Sequence, residues 1–143
     1  GKSTLLAALA GTLQTRLKIE GNVWSRCGQG ISVAEGTVAL LAQDDPFFSE
    51  LTVHETLQFA AELYGQPTAS AAREAGLLLQ RVGLAAAAAQ RVGSMTSGER
   101  RRLAVACAIA GEGDRLGRRP RALLADEPTT GLDAFQAMRV VTL

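Results

Sequence analysis

The sequence predicts an α/β fold, and three observations carry that prediction. Two short apolar runs, residues 37–42 and 122–125, have strand length and each ends in a polar loop. Two Thr-x-x-Glu patterns, Thr52 to Glu55 and Thr96 to Glu99, stand just before stretches of helical spacing. The chain opens on Gly1-Lys2-Ser3-Thr4, and Leu5, Leu6, Leu9 and Leu13 then fall on one helical face. Strands that alternate with helices indicate a sheet covered by helices.

Each element follows in order. Residues 3 to about 15 read as a helix. Residues 16–20 and 23–26 alternate around Gly21-Asn22, the signal of a short hairpin. The run 37–42 reads as a buried strand and gives way to Gln43-Asp44-Asp45-Pro46, a loop by composition. Thr52 can cap a helix from Val53 to about Tyr64 while Glu55 reaches back to its first amide; Gly65 and Pro67 stop it. Residues 68–93 are Ala-rich, with Leu77, Leu78, Leu79 and Val82, and read as one or two helices. Thr96 and Glu99 open a further helix through residues 103–110. Residues 111–121 form a Gly/Arg/Asp-rich loop, and the strand 122–125 runs into Asp126-Glu127-Pro128.

Composition narrows the function classes. The 143 residues suit one domain, and 47% hydrophobic with 20% charged residues argues against wholesale disorder. A net charge of +1 supplies no field for nucleic acid or anionic lipid. No apolar run approaches the ~18–20 residues of a membrane span, and no signal peptide is visible. Cys27 and Cys107 lack a C-x-x-C spacing, which fits a reduced setting better than a disulfide scaffold or zinc site. Arg100, Arg101 and Arg102, like the arginines of 115–121, have no interleaved aromatics and read as solvated surface. His54 reads as a solvent-facing helical residue, Cys107 as core, and Trp24, Phe47 and Phe48 as packing residues.

Two motifs carry chemistry. Gly1-Lys2-Ser3-Thr4 before a helix has the form of the end of a phosphate-binding loop, where glycine lets backbone amides approach phosphate oxygens. Lys2 would bridge β- and γ-phosphates and the Ser3 hydroxyl would complete a Mg2+ shell. Taken alone, the quartet is equally compatible with an ordinary helix start. Asp126-Glu127 after an apolar strand places Asp126 at the sheet's carboxyl edge, where ligands bind in open α/β folds. Asp126 could hold Mg2+ through water, and Glu127 could orient or deprotonate an attacking water. Taken alone, that pair also fits a solvated or capping role.

The order of the motifs is more specific than any one of them. Gln43 follows a buried strand, Thr96-Ser97-Gly98-Glu99-Arg100-Arg101-Arg102 opens a helix, and Asp126-Glu-Pro-Thr-Thr-Gly-Leu-Asp133 comes last. In this order the chain resembles the ATP-binding cassette family, whose nucleotide-binding domains carry Walker A, Q-loop, signature, Walker B and D-loop. The stretch from Leu51 to Ala61 and the arginines after the signature resemble its G subfamily, the White-type half-transporters.

The resemblance implies a P-loop NTPase fold, with a RecA-like core sheet of about 1–50 and 120–143 and a helical signature subdomain of about 51–112. Residues 111–121 would be a loop insertion, and the whole an incomplete domain truncated at both ends. It implies that Gly1, Lys2, Ser3 and Thr4 bind ATP. Ser3, Gln43 and Asp126 would meet Mg2+, and Gln43 and Glu127 would be catalytic, with Glu127 the general base. Asp133 would lie at a domain–domain contact. Thr96, Ser97, Gly98 and Glu99 would cap ATP held by a second nucleotide-binding domain. The protein would be an ATPase powering transport through a transmembrane domain, this segment lying on the cytoplasmic face. The adenine-stacking aromatic would precede Gly1, and the switch histidine would follow Leu143. A non-hydrolysing regulatory module or gene fragment, and a soluble cassette ATPase, are the alternatives. Against the usual Ser-Gly-Gly of the signature, Thr96 keeps the hydroxyl and Ser97 adds a side chain where glycine is customary.

Overall fold

A computed structural model describes residues 1–9, 38–41, 47–110 and 122–126. In chain order these form α1 (Lys2–Leu9), β1 (Val38–Leu41), α2 (Val53–Leu63), α3 (Thr68–Arg81), α4 (Ser97–Ile109) and β2 (Ala122–Ala125). Two single 3-10 turns, Ala85–Ala87 and Val92–Ser94, fill the space between α3 and α4, where the Ala-rich composition allowed a second helix. The hairpin expected at 16–26 and the loop expected at 111–121 lie outside the described residues.

Both expected capping boxes form. Thr52 Oγ1 accepts the Glu55 amide at 3.2 Å, and Glu55 Oε2 accepts the Thr52 amide at 2.8 Å. Two of the four orphan donors at the start of α2 are thereby satisfied within the motif. At the other end Gly65 adopts φ 89°, so that its amide reaches Glu62 and that of Gln66 reaches Ala61. Gly83 does the same after α3, with φ 70°, while Leu84 bonds back to Leu79. Both ends are Schellman closures, and the left-handed residue is glycine because a Cβ is strained there. Pro67 ends the turn after α2 and also precedes α3, its carbonyl accepting from Ser70 and Ala71.

The helical part packs around one cluster. Val53, Leu57 and Ala61 of α2 face Ala71, Ala75, Leu78 and Leu79 of α3. The alanines let the two axes approach closely, and Leu84, Val92 and Met95 close the cluster from the turns. Leu57, Leu79, Leu84 and Leu103 are fully buried, each contributing about 1.5–3 kcal/mol of hydrophobic stabilisation. Leu77, in the same three-leucine run, points outward.

β1 and β2 pair in parallel, Val38 opposite Ala122 through Leu41 opposite Ala125. Parallel partners require a crossover, and here α2, α3 and α4 lie within it. α4 joins the two halves. Its Leu103 and Ala106 belong to the helical cluster, whereas Ala104 and Val105 pack with Leu41, Phe47 and Ala125. The described residues thus form a largely helical P-loop NTPase-like domain with a two-stranded parallel sheet.

Candidate functional site

α1 begins directly after Gly1, whose carbonyl accepts the Leu5 amide at 3.1 Å. The amides at Ser3 and Thr4 lie in the first turn, which has no preceding carbonyl of its own helix to bond. Gly1, Lys2 and Thr4 are exposed, and a Cβ added at Gly1 would meet nothing within 4 Å. No acidic residue sits in the first turn, unlike α2 and α4, which carry Glu55 and Glu99 there. The positive end of α1 is not neutralised by a carboxylate of its own.

Asp126 follows β2 and is half-buried. Its amide continues the parallel ladder to the Leu41 carbonyl at 3.2 Å, and its own carbonyl accepts Arg101 Nη2 at 2.5 Å. Arg101 is only 7% exposed. Arg102 Nη1 lies 3.3 Å from the carbonyls of Val82 and Gly83 at the end of α3. Arg100 is exposed as expected, whereas Arg101 and Arg102 depart from the expected solvated surface. Helical geometry turns Arg101 and Arg102 inward toward strand and helix ends, where exposed carbonyls take the place of water.

The Thr96–Glu99 motif caps α4 as the sequence implied. Thr96 Oγ1 accepts the Glu99 amide at 3.3 Å, while Glu99 Oε2 accepts the Thr96 amide at 2.9 Å and its hydroxyl at 2.8 Å. The Thr96 amide, and then its hydroxyl, hold the Glu99 carboxyl below the usual range. Ser97 is exposed and Gly98 buried.

The chain entering α2 is stitched to the chain entering α4. Gly93 donates to the Ser49 carbonyl at 3.0 Å, Val92 to Leu51 at 2.9 Å, and Val53 to Gln90 at 2.9 Å. A Cβ at Gly93 would come within 3.2 Å of Ser49, a tight contact that glycine avoids. These long-range backbone pairs have no local sequence signal.

Two further side chains differ from expectation or were missed. His54 is half-buried rather than solvent-facing, because α3 packs over it and Nε2 donates to the Ala72 carbonyl at 3.1 Å. Gln66 is buried and donates to Glu74 and to the Ala110 carbonyl. Cys107 packs against the helical cluster as expected, and so does Phe47. Phe48 is exposed, edge-on to Phe59 with ring centroids 6.3 Å apart.

Of the residues singled out from sequence, Gly1, Lys2 and Thr4 stand at the start of α1, with the Ser3 backbone among them. Thr96, Ser97, Gly98 and Glu99 open α4, and Asp126 ends β2. Gln43, Glu127 and Asp133 lie outside the described residues, as do Trp24 and Cys27. Among the described residues no cluster of three or more His, Cys, Asp or Glu could hold a metal. A single carboxylate at Asp126 fits Mg2+, which keeps several waters and takes one or two carboxylates beside phosphate oxygens. Among the described residues no helix is long and apolar enough to cross a membrane.

Residues 1–130 match the family model described as ABC transporter. The chain belongs to the ABC transporter family. Its relatives place this ABC transporter segment near the G subfamily, as part of a nucleotide-binding domain. It is 41% identical over 152 residues to ABC transporter G family member 7 of Arabidopsis thaliana, covering 99% of this chain and 20% of the relative. It is 33% identical over 151 residues to ATP-binding cassette sub-family G member 5 of Rattus norvegicus, covering 100% of this chain and 22% of the relative. With ABC transporter G family member STR of Petunia hybrida it shares 36% over 153 residues, 99% of this chain and 17% of the relative. The ABC transporter segment thus spans about a fifth of the length of these relatives.

Proposed function

We propose that this segment binds ATP with Mg2+ and supports its hydrolysis within the nucleotide-binding domain of a G-type transporter. The carrying observation is positional: Gly1-Lys2-Ser3-Thr4 opens α1, Thr96 caps α4 and Asp126 ends β2, inside a family match over residues 1–130. The start of α1, with no acidic residue in its first turn, would offer backbone amides to phosphate oxygens, and Lys2 would add a charge for the β- and γ-phosphates. Mg2+ would be held by Ser3, Gln43 and Asp126 and would neutralise charge on the phosphate oxygens. Glu127, covalently next to Asp126, takes the proton of the attacking water as general base, a role worth about 10²–10⁴ in rate.

The domain reading extends this. A RecA-like core of about 1–50 and 120–143 carries the phosphate and metal residues, and about 51–112 form the helical signature region, with an insertion at 111–121. The Thr96, Ser97, Gly98 and Glu99 end of α4 meets ATP bound by a second nucleotide-binding domain, near Asp133. A transmembrane domain, joined to the cytoplasmic face of the segment, uses the closure for transport.

One observation favours a second reading, a nucleotide-binding module without hydrolysis. The Thr96 hydroxyl donates to Glu99, and Ser97 puts a side chain where the family usually has glycine. The experiment that separates them is ATPase assay and ATP retention of the intact protein with Glu127→Gln. Retained ATP and lost turnover support the first reading. Unchanged hydrolysis removes Glu127 from its role, and a wild type that binds without hydrolysing supports the second reading.

A further inference from the structure

Arg101 is the charged side chain that α4 sends into the contact with the sheet. Its neighbours along that helix, Leu103, Ala104, Val105 and Ala106, are buried and apolar. Packing alone would be served by another aliphatic residue at this position, since burying a guanidinium carries a desolvation cost unless its donors are used. Arg101 uses one of them on the carbonyl of Asp126, across the gap between α4 and the end of β2.

That carbonyl matters because it belongs to the peptide joining Asp126 to Glu127. A bond to that C=O restrains the backbone torsion of Asp126 itself. The amide of Asp126 is held at the same time by Leu41 of β1. The backbone on both sides of the Asp126 Cα is thereby pinned, from the strand on one side and from α4 on the other.

We infer that Arg101 is a positioning residue for Asp126, holding its backbone carbonyl from the helix that Thr96 caps. This rests on the proposed ATPase reading and deepens it. The side chain touches no nucleotide in this role; it acts through the backbone of the residues that do. Because Arg101 and Thr96 share one rigid helix, a displacement of α4 reaches Asp126 directly, without passing through the loops between them.

The test is steady-state ATPase kinetics on the intact protein with Arg101→Met, which keeps length and apolar packing but removes the donors, and Arg101→Lys, which keeps a charged donor. Misplacing a reacting group by about 1 Å costs on the order of 10²-fold. Arg101→Met should lower kcat by at least about tenfold, leave KM for ATP within about twofold and leave the melting temperature nearly unchanged. Arg101→Lys should restore much of kcat. Amide exchange in residues 122–126 should be faster in Arg101→Met than in wild type, with α2 unaffected. An unchanged kcat in Arg101→Met, with the wild type hydrolysing ATP, overturns this inference alone. So does a parallel loss of kcat and melting temperature without rescue by lysine, which marks a merely structural residue. A wild type that does not hydrolyse ATP overturns the ATPase reading and this inference together. If Arg101→Met does not fold, Arg101→Gln is read in its place by the same criteria.

Discussion

Gln66 Nε2 lies 2.9 Å from the carbonyl oxygen of Ala110, so the residue that leaves α2 closes the far end of α4. The two are 44 positions apart, and Gln66 is buried between them with a second bond to Glu74. A helix end buried without a partner is costly, and here one side-chain amide serves both α3 and α4.

Replacing Gln66 by leucine therefore leaves the Ala110 carbonyl buried without this donor. The expected cost is about 1–3 kcal/mol. It should appear as faster amide exchange in residues 105–110, and unchanged protection there would refute the role.

The two capping boxes give a pH-dependent stability of known sign. In each, the threonine amide first and its hydroxyl second hold the glutamate carboxyl below its usual range. The unfolded chain binds the extra proton first, so the contribution is complete above the ordinary glutamate value of about 4.3 and is lost as pH falls below it. Unfolding followed between pH 7 and 3 should show a shallower acid loss in Glu99→Gln than in wild type. Thr96→Ala should cost about 1 kcal/mol, and Thr96→Ser much less.

Glycine-to-alanine changes should have opposite signs at two sites. Gly83 stands at φ 70° in the closure of α3, and alanine there costs about 1 kcal/mol. Gly76 is inside α3, with nothing within 4 Å of an added Cβ, and alanine there stabilises by roughly 0.5–1 kcal/mol. Thermal unfolding of the two variants checks both at once; equal shifts would refute the assignment.

The leucine run of α3 makes a third contrast. Leu79 is 1% exposed and Leu77 56% exposed. Leu79→Ala should cost about 2–5 kcal/mol and Leu77→Ala no more than about 0.5. Denaturant titration separates them, and similar midpoints would place α3 in a different rotation.

Local signals in the sequence are legible wherever the physics is local. Thr52 with Glu55, Thr96 with Glu99, Gly65 and the strand at 122–125 all act within a few residues, and each appears where the pattern puts it. In its coarse form the fold reading holds as a largely helical P-loop NTPase-like domain, in which β1 and β2 pair in parallel. His54, Gln66, Arg101 and Gly93 were not legible. Each is defined by a partner on another segment, Ala72, Ala110, Asp126 and Ser49 respectively, and a residue type alone does not name a distant carbonyl. The same limit applies to the candidate site. Gly1, Lys2, Thr96 and Asp126 could be set at element ends from the pattern, whereas what pins Asp126 comes from α4 and β1.

The parallel register of β1 and β2 also bears on how the chain reaches this arrangement. Val38 must find Ala122 across the entire helical segment, and closing so large a loop costs entropy before any ladder bond is made. The α2–α3 pairing, by contrast, joins neighbours through a short turn. Contacts close in sequence form faster than distant ones. The helices should therefore assemble first and carry the strands into range, so that the end of β2, with Asp126, is among the last parts to become native.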